Sequence, residues 1–117
     1  MLIDTTLREG AQAYGVQWTC GQRLQLLELL LQTGVEEIEL GWVGQEGVSE
    51  LVRTVAGISA GPRVSVWSRM QAVDIEQAAG MGVRSLHMAI PVSRPHLHHR
   101  LGLDTGTACA GVVNMVR

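Results

Sequence analysis

Four short β-type runs begin near residues 2, 36, 63 and 84, and longer runs of helical period separate them. The spacing of about 20–35 residues holds one strand, one crossover helix and two short loops. The chain therefore reads as consecutive βα units that build a parallel sheet. The first strand, residues 2–4, runs into a polar loop over 5–17 that carries Gly10 and Gly15. Thr19-Cys20-Gly21-Gln22 has the form of a capping box, Leu24, Leu27 and Leu31 then recur at helical spacing, and Gly34 is the expected stop. Residues 36–40 are the predicted second strand. It holds three carboxylates where a buried parallel strand is normally filled with Val and Ile, an excess of acid that needs a reason. A second helix is predicted over 49–58 with Leu51, Val52 and Val55 on one face, followed by Gly61-Pro62 as punctuation. The third strand is predicted over 63–67, the third helix over 73–79, and the fourth strand over 83–90, which Pro91 ends. The stretch 94–117 reads as a loop and helix, weakened as a helix by Gly102, Gly106 and Gly111.

Length limits what these units can close into. At 117 residues the chain is one domain at most, well short of the roughly 250 residues of a complete (β/α)8 barrel. Four parallel strands left open would expose apolar edges, which a full barrel avoids by closing on itself. The fold expected is α/β: the N-terminal half of a (β/α)8 TIM barrel, with residues 1–117 as one partial barrel domain truncated on its C-terminal side. A composition 46% hydrophobic and 17% charged supports a packed core. Nine arginines, no lysine and eleven acids leave a formal charge of −2, which offers no basic excess to nucleic acid or an anionic membrane. Cys20 and Cys109 are far apart and form no CxxC pair, so neither a disulfide framework nor a zinc ribbon is indicated. No run of about 18 apolar residues occurs, and the chain starts on Met1-Leu2-Ile3-Asp4 without the pattern of an export signal, so a cytoplasmic location is expected.

In folds of this kind functional groups collect at the C-terminal ends of the strands. The first strand delivers Asp4, Arg8, Glu9 and Gln12 there. Carboxylates beside an arginine and an amide suit a divalent cation and an anionic substrate, but they also suit a loop that pairs with itself. His87, between Leu86 and Met88, fits a hydrogen-bonded core histidine better than a ligand. His96, His98 and His99 follow Pro95 where a loop or helix starts, and no cysteine or acid lies at zinc spacing. Cys20, at a helix start with no histidine beside it in sequence, is read as structural.

Ile3-Asp4-Thr5-Thr6-Leu7-Arg8-Glu9-Gly10-Ala11-Gln12 closely resembles the opening signature of the metal-dependent acyl-CoA condensing enzymes, the homocitrate, isopropylmalate and citramalate synthases. The likeness continues through Gly34-Val35-Glu36-Glu37-Ile38-Glu39-Leu40-Gly41, Trp67-Ser68-Arg69, His87 to Ser93, and Arg100-Leu101-Gly102. Trp67-Ser68-Arg69 with Ile90-Pro91-Val92-Ser93 is most similar to homocitrate synthases associated with nitrogen fixation. The resemblance implies a TIM barrel in which a divalent cation chelates a 2-oxo acid while deprotonated acetyl-CoA attacks the keto carbon. Carried over by position, it implies that Glu9 is a metal ligand, that Arg8 polarises the carbonyl, and that Gln12 contacts substrate. It likewise implies Glu39 as a carboxylate of the substrate pocket and makes Arg69 a candidate for a substrate carboxylate, against the alternative of a surface ion pair.

Two departures qualify this. The family's His-x-His metal pair lies on a later strand, so Glu9 alone cannot hold a catalytic cation, and the isolated chain is expected to be inactive. A complementing C-terminal half or a homo-oligomer is the expected partner. Trp42 stands where homocitrate-type sequences carry a small, proline-containing stretch; 2-oxoglutarate ranks first as substrate, ahead of pyruvate and 2-oxoisovalerate. Related metal-dependent lyases and aldolases are an enzymatic alternative, and an inactive fragment or structural subunit of a split barrel is the alternative of another class.

Overall fold

The computed structural model describes residues 1–58 and 60–116; Arg117, the end of the predicted 94–117 stretch, lies outside the described residues. Strand β1 (Ile3–Asp4) leads through a 3-10 turn (Gly10–Gln12) to helix α1 (Cys20–Leu31). Then come β2 (Glu37–Trp42), α2 (Val48–Ala56), β3 (Arg63–Arg69), α3 (Ala72–Gly80) and β4 (Leu86–Ala89). The short α4 (Arg94–His96) continues into a π-type turn (Leu97–Leu101), and α5 (Thr105–Met115) follows.

The four strands are all parallel and lie side by side in chain order, β1-β2-β3-β4. Crossovers between parallel strands are right-handed, and a sheet that never reverses its order places every crossover helix on the same side. A doubly wound sheet would instead reverse order to cover both faces. The order observed is that of the first half of a (β/α)8 barrel, with one face toward helices and the other toward the barrel interior.

Side-chain alternation along β2 explains its acids. Ile38 and Leu40 join Leu27, Leu51, Val52, Val55, Val66 and Ala78 in the core between sheet and helices. Glu37 and Glu39 alternate with them and belong to the opposite, inner face. Glu36 precedes the strand and is exposed, so only two of the three predicted strand carboxylates lie in β2.

The predicted capping box forms: Thr19 Oγ1 accepts from Gln22 N, and Gln22 Oε1 accepts from the Thr19 amide. Strands β2 and β3 extend two residues beyond their predicted ends, because parallel pairing continues to Trp42 and Arg69. Strand β4 is shorter than predicted, pairing only over the four residues that face β3. Helix α5 forms despite Gly106 and Gly111. Asp104 caps it, its carboxylate accepting from the Thr107 amide and hydroxyl, and those bonds hold the Asp104 carboxyl below the usual range.

Candidate active site

The loop after β1 is built to aim Arg8 at the inner face. Asp4 turns the chain by accepting from the Thr6 amide at 2.9 Å and from the Thr6 hydroxyl. The Arg8 and Glu9 amides both donate to Thr5 O, making one helical turn, and fully buried Leu7 anchors that turn in the core. Arg8 is thereby carried over the C-terminal end of the sheet. Its Nε donates to Glu39 Oε2, its Nη1 pairs with Glu9 Oε1, and its guanidinium carbon lies 5.8 Å from the centre of the Trp67 ring.

Glu39 is 1% exposed, and a carboxylate so buried requires charged or hydrogen-bonding partners. It has two: Arg8 on Oε2, and His87, whose Nδ1–H donates to Oε1 at 2.9 Å. The same imidazole turns Nε2 to Glu37 Oε1 at 2.9 Å, and Arg63 Nη2 lies 3.1 Å from Glu37 Oε2. The Nε2 contact has the distance of an ion pair without the alignment of a hydrogen bond, which leaves Glu37 Oε1 without a hydrogen-bond partner among the described residues. The inner face thus carries an alternating series, Arg63, Glu37, His87, Glu39, Arg8, Glu9, running from the foot of the strands to their mouth.

Of the residues marked out from sequence, Arg8, Glu9 and Glu39 come together, with Glu9 the most solvent-exposed. Gln12 is exposed on the 3-10 turn, and among the described residues no hydrogen bond or ion pair joins it to this cluster. Arg69 is engaged elsewhere: Nε and Nη2 donate to the two oxygens of Asp74 at 2.9 and 2.8 Å, the ion-pair arrangement weighed above. That pairing holds the Asp74 carboxyl below its ordinary range and raises Arg69. Cys20 packs against Gly47, and its thiol donates to Glu50 at 3.7 Å. His96, His98 and His99 are exposed on α4 and the π-type turn, with the last two rings edge to face.

Three partners were not marked as site residues from the sequence, where His87 reads only as a hydrogen-bonded core histidine and Trp67 only as part of the third-strand likeness. Trp67 and His87 meet Arg8 and Glu39 only through strand register, Trp67 opposite His87 and Glu39 opposite Ser65. Arg23, within the leucine run of α1, is buried and donates to Glu46 O, Leu40 O and Gln45 Oε1 at 2.7, 3.0 and 2.9 Å. Burial pushes its guanidinium below the usual range, with the nearby Cys20 acting in the opposite direction. Gln45 also accepts from the Trp42 amide, so Arg23 ties α1 to the turn after β2. Gly41, in β2 just before that turn, has φ +151°, and a Cβ there would run into Gln45 and Arg23.

A divalent cation needs several oxygen or nitrogen ligands. Among the described residues no three His, Cys, Asp or Glu side chains surround a common point. Asp4 is turned to Thr6 and Glu39 to Arg8 and His87, so these residues do not by themselves complete a cation site. A cavity of about 560 Å3, lined by Leu31, Val52, Val55, Arg63 and Val83 among others, lies toward the N-terminal ends of β3 and β4, the stabilising end of such a barrel. No described helix is long and apolar enough to cross a membrane.

A parallel sheet in sequential order, with helices outside and charge running along the inner face to the strand mouths, defines a half-barrel of the (β/α)8 enzyme class. The whole chain, residues 1–117, matches the family described as HMGL-like. The homocitrate synthase of Frankia alni is 37% identical over 107 residues, covering 90% of this chain and 30% of that protein. The putative (R)-citramalate synthase of Methanosphaerula palustris is 35% identical over 109 residues, 92% of this chain and 22% of its own length. The probable 2-isopropylmalate synthase of Ignicoccus hospitalis is 32% identical over 116 residues, 98% and 29%. The chain belongs to the HMGL-like family, an enzyme family whose matched members are synthases. It spans less than a third of the length of each of these three curated relatives.

Proposed function

We propose that this chain supplies the carbonyl-polarising side of an acyltransferase barrel that condenses acetyl-CoA with a 2-oxo acid, 2-oxoglutarate to homocitrate being the preferred reaction. The observation that carries the reading is Arg8, gripped by Glu39 and Glu9 over the face of Trp67 at the C-terminal ends of the strands. Once a base outside these residues has taken a proton from the methyl group of acetyl-CoA, that carbon bonds to the keto carbon, the C=O π pair moves onto the keto oxygen as negative charge, and water later cleaves the thioester to release CoA. A guanidinium already fixed in place stabilises that charge without reorganising. Glu39 holds Nε and Glu9 pairs with Nη1, which leaves the N–H groups not so engaged for the substrate. Gln12 and Arg69 are proposed substrate contacts, Arg69 on condition that substrate competes with Asp74. Glu9, at the rim, is proposed as the one cation ligand drawn from this chain; the metal's identity and further ligands lie outside these residues.

The active unit is proposed to be a complete barrel working in the cytoplasm. The outer edges of β1 and β4 are unpaired in the sheet and would be met by the remaining strands, on a complementing C-terminal half or another copy. Trp42 favours one second reading: it ends β2 after a break in register between Glu39 and Trp42, and an indole turned into the pocket there would suit a shorter 2-oxo acid such as pyruvate or 2-oxoisovalerate. The test is thiol release from acetyl-CoA by the completed barrel, offered each of the three acids in turn. Fastest turnover with 2-oxoglutarate supports the preferred reading, preference for a shorter acid the second, and no turnover with any of them defeats both.

A further inference from the structure

We propose that His87 is a positioning residue, holding Glu39 in the orientation that fixes Arg8. Nothing in its immediate sequence suggests this, since Leu86 and Met88 are ordinary strand neighbours. The reach comes from the sheet. Strand β4 pairs with β3, not with β2, so His87 meets Glu39 only by crossing the inner face of β3. The β3 residue opposite Glu39 is Ser65, small and 1% exposed, so no large side chain stands at that register position between Glu39 and β4.

Glu37 and Glu39 stand two residues apart on one face, about 7 Å along the strand, and both are buried. Buried carboxyl groups in such a place need a polar partner. The His87 ring provides one, with a nitrogen 2.9 Å from each carboxylate. Glu39 is consequently held at both oxygens, by Nδ1 of His87 and by Nε of Arg8. Without the imidazole one oxygen is freed, the carboxylate rotates, and Arg8 loses the anchor that sets its fork.

The two nitrogens make the idea testable atom by atom, because Asn places its amide where Nδ1 was and Gln where Nε2 was. Exchange of the Arg8 Nε–H with water is followed by 15N-edited NMR on the purified chain, the resonance being assigned by its absence in Arg8→Lys. The parent and His87→Asn keep a slowly exchanging Arg8 Nε–H. His87→Gln and His87→Ala exchange about tenfold faster or more, the effect of losing one charge-assisted hydrogen bond. Equal exchange in the Asn and Gln variants overturns the proposal, since a residue that only fills space does not distinguish them. Should no variant fold, the parent decides: a protected His87 Nδ1–H resonance supports the contact, and its absence overturns it. The functional consequence rests on the reading of Arg8 and Glu39 given above, but the spectra need no substrate. An Arg8 signal that ignores His87 defeats the positioning role alone, and a signal that follows His87 beside normal turnover in Arg8→Ala defeats the reading of the reaction alone.

Discussion

Arg23 shows what one side chain does at a distance from the chemistry. Its guanidinium holds two backbone carbonyls and Gln45 together across α1 and the β2–α2 turn, and its Nε has no partner among the described residues. Arg23→Ala leaves buried acceptors unpaired and is expected to cost about 1–3 kcal/mol, measured by urea denaturation. Arg23→Lys recovers only part of it, because a point charge cannot bridge three acceptors as a fork does. Arg8, Glu9 and Glu39 were legible from their letters because they sit in a motif. Arg23 was not, since a charged residue inside a leucine-rich helix looks like its solvent face until the β2–α2 turn folds over it. Nor was the His87–Glu39 contact, which joins residues 48 apart and depends on which β3 residue lies between them.

At the scale of elements, local signals placed the starts of α1, β2 and β3 better than the ends of β2 and β3, and placed the start of β4 three residues early. The Thr19–Gln22 box sets the start of α1 through bonds made within four residues, so its reading needed no tertiary information. The end of β2 is set by pairing with β3 and the end of β3 by pairing with β4, which no local run encodes. Helix α5 was underestimated because glycine propensity was weighed without the Asp104 cap. Between β3 and α3, the Arg69–Asp74 pair closes the strand-to-helix turn. Because the pair lowers the carboxyl pKa of Asp74 in the folded state, it stabilises the fold above the ordinary carboxylate range, and that contribution is lost as pH falls through the folded value. Thermal melts of the parent and Asp74→Asn are expected to differ at neutral pH and to converge in acid, below about pH 4. A constant difference across that range would show that the pair contributes nothing through its charge.

For the molecule as a whole, strand order decides more than any single contact. Sequential parallel strands place all the crossover helices on one side, and the face left over collects Glu37, Glu39, Trp67 and His87. That the acids of β2 are interior rather than misplaced follows from this topology, which the regular spacing of strands anticipated. The central claim is that this inner face presents Arg8 to a developing oxyanion. Its most direct test is the rate of CoA release from acetyl-CoA and a 2-oxo acid by the completed barrel, comparing the parent with Arg8→Ala and Glu9→Gln. Each change is expected to lower kcat by roughly 100-fold or more, the loss typical of removing a charge-stabilising group from an active site. Parent-like rates in Arg8→Ala, with folding intact, would contradict the account.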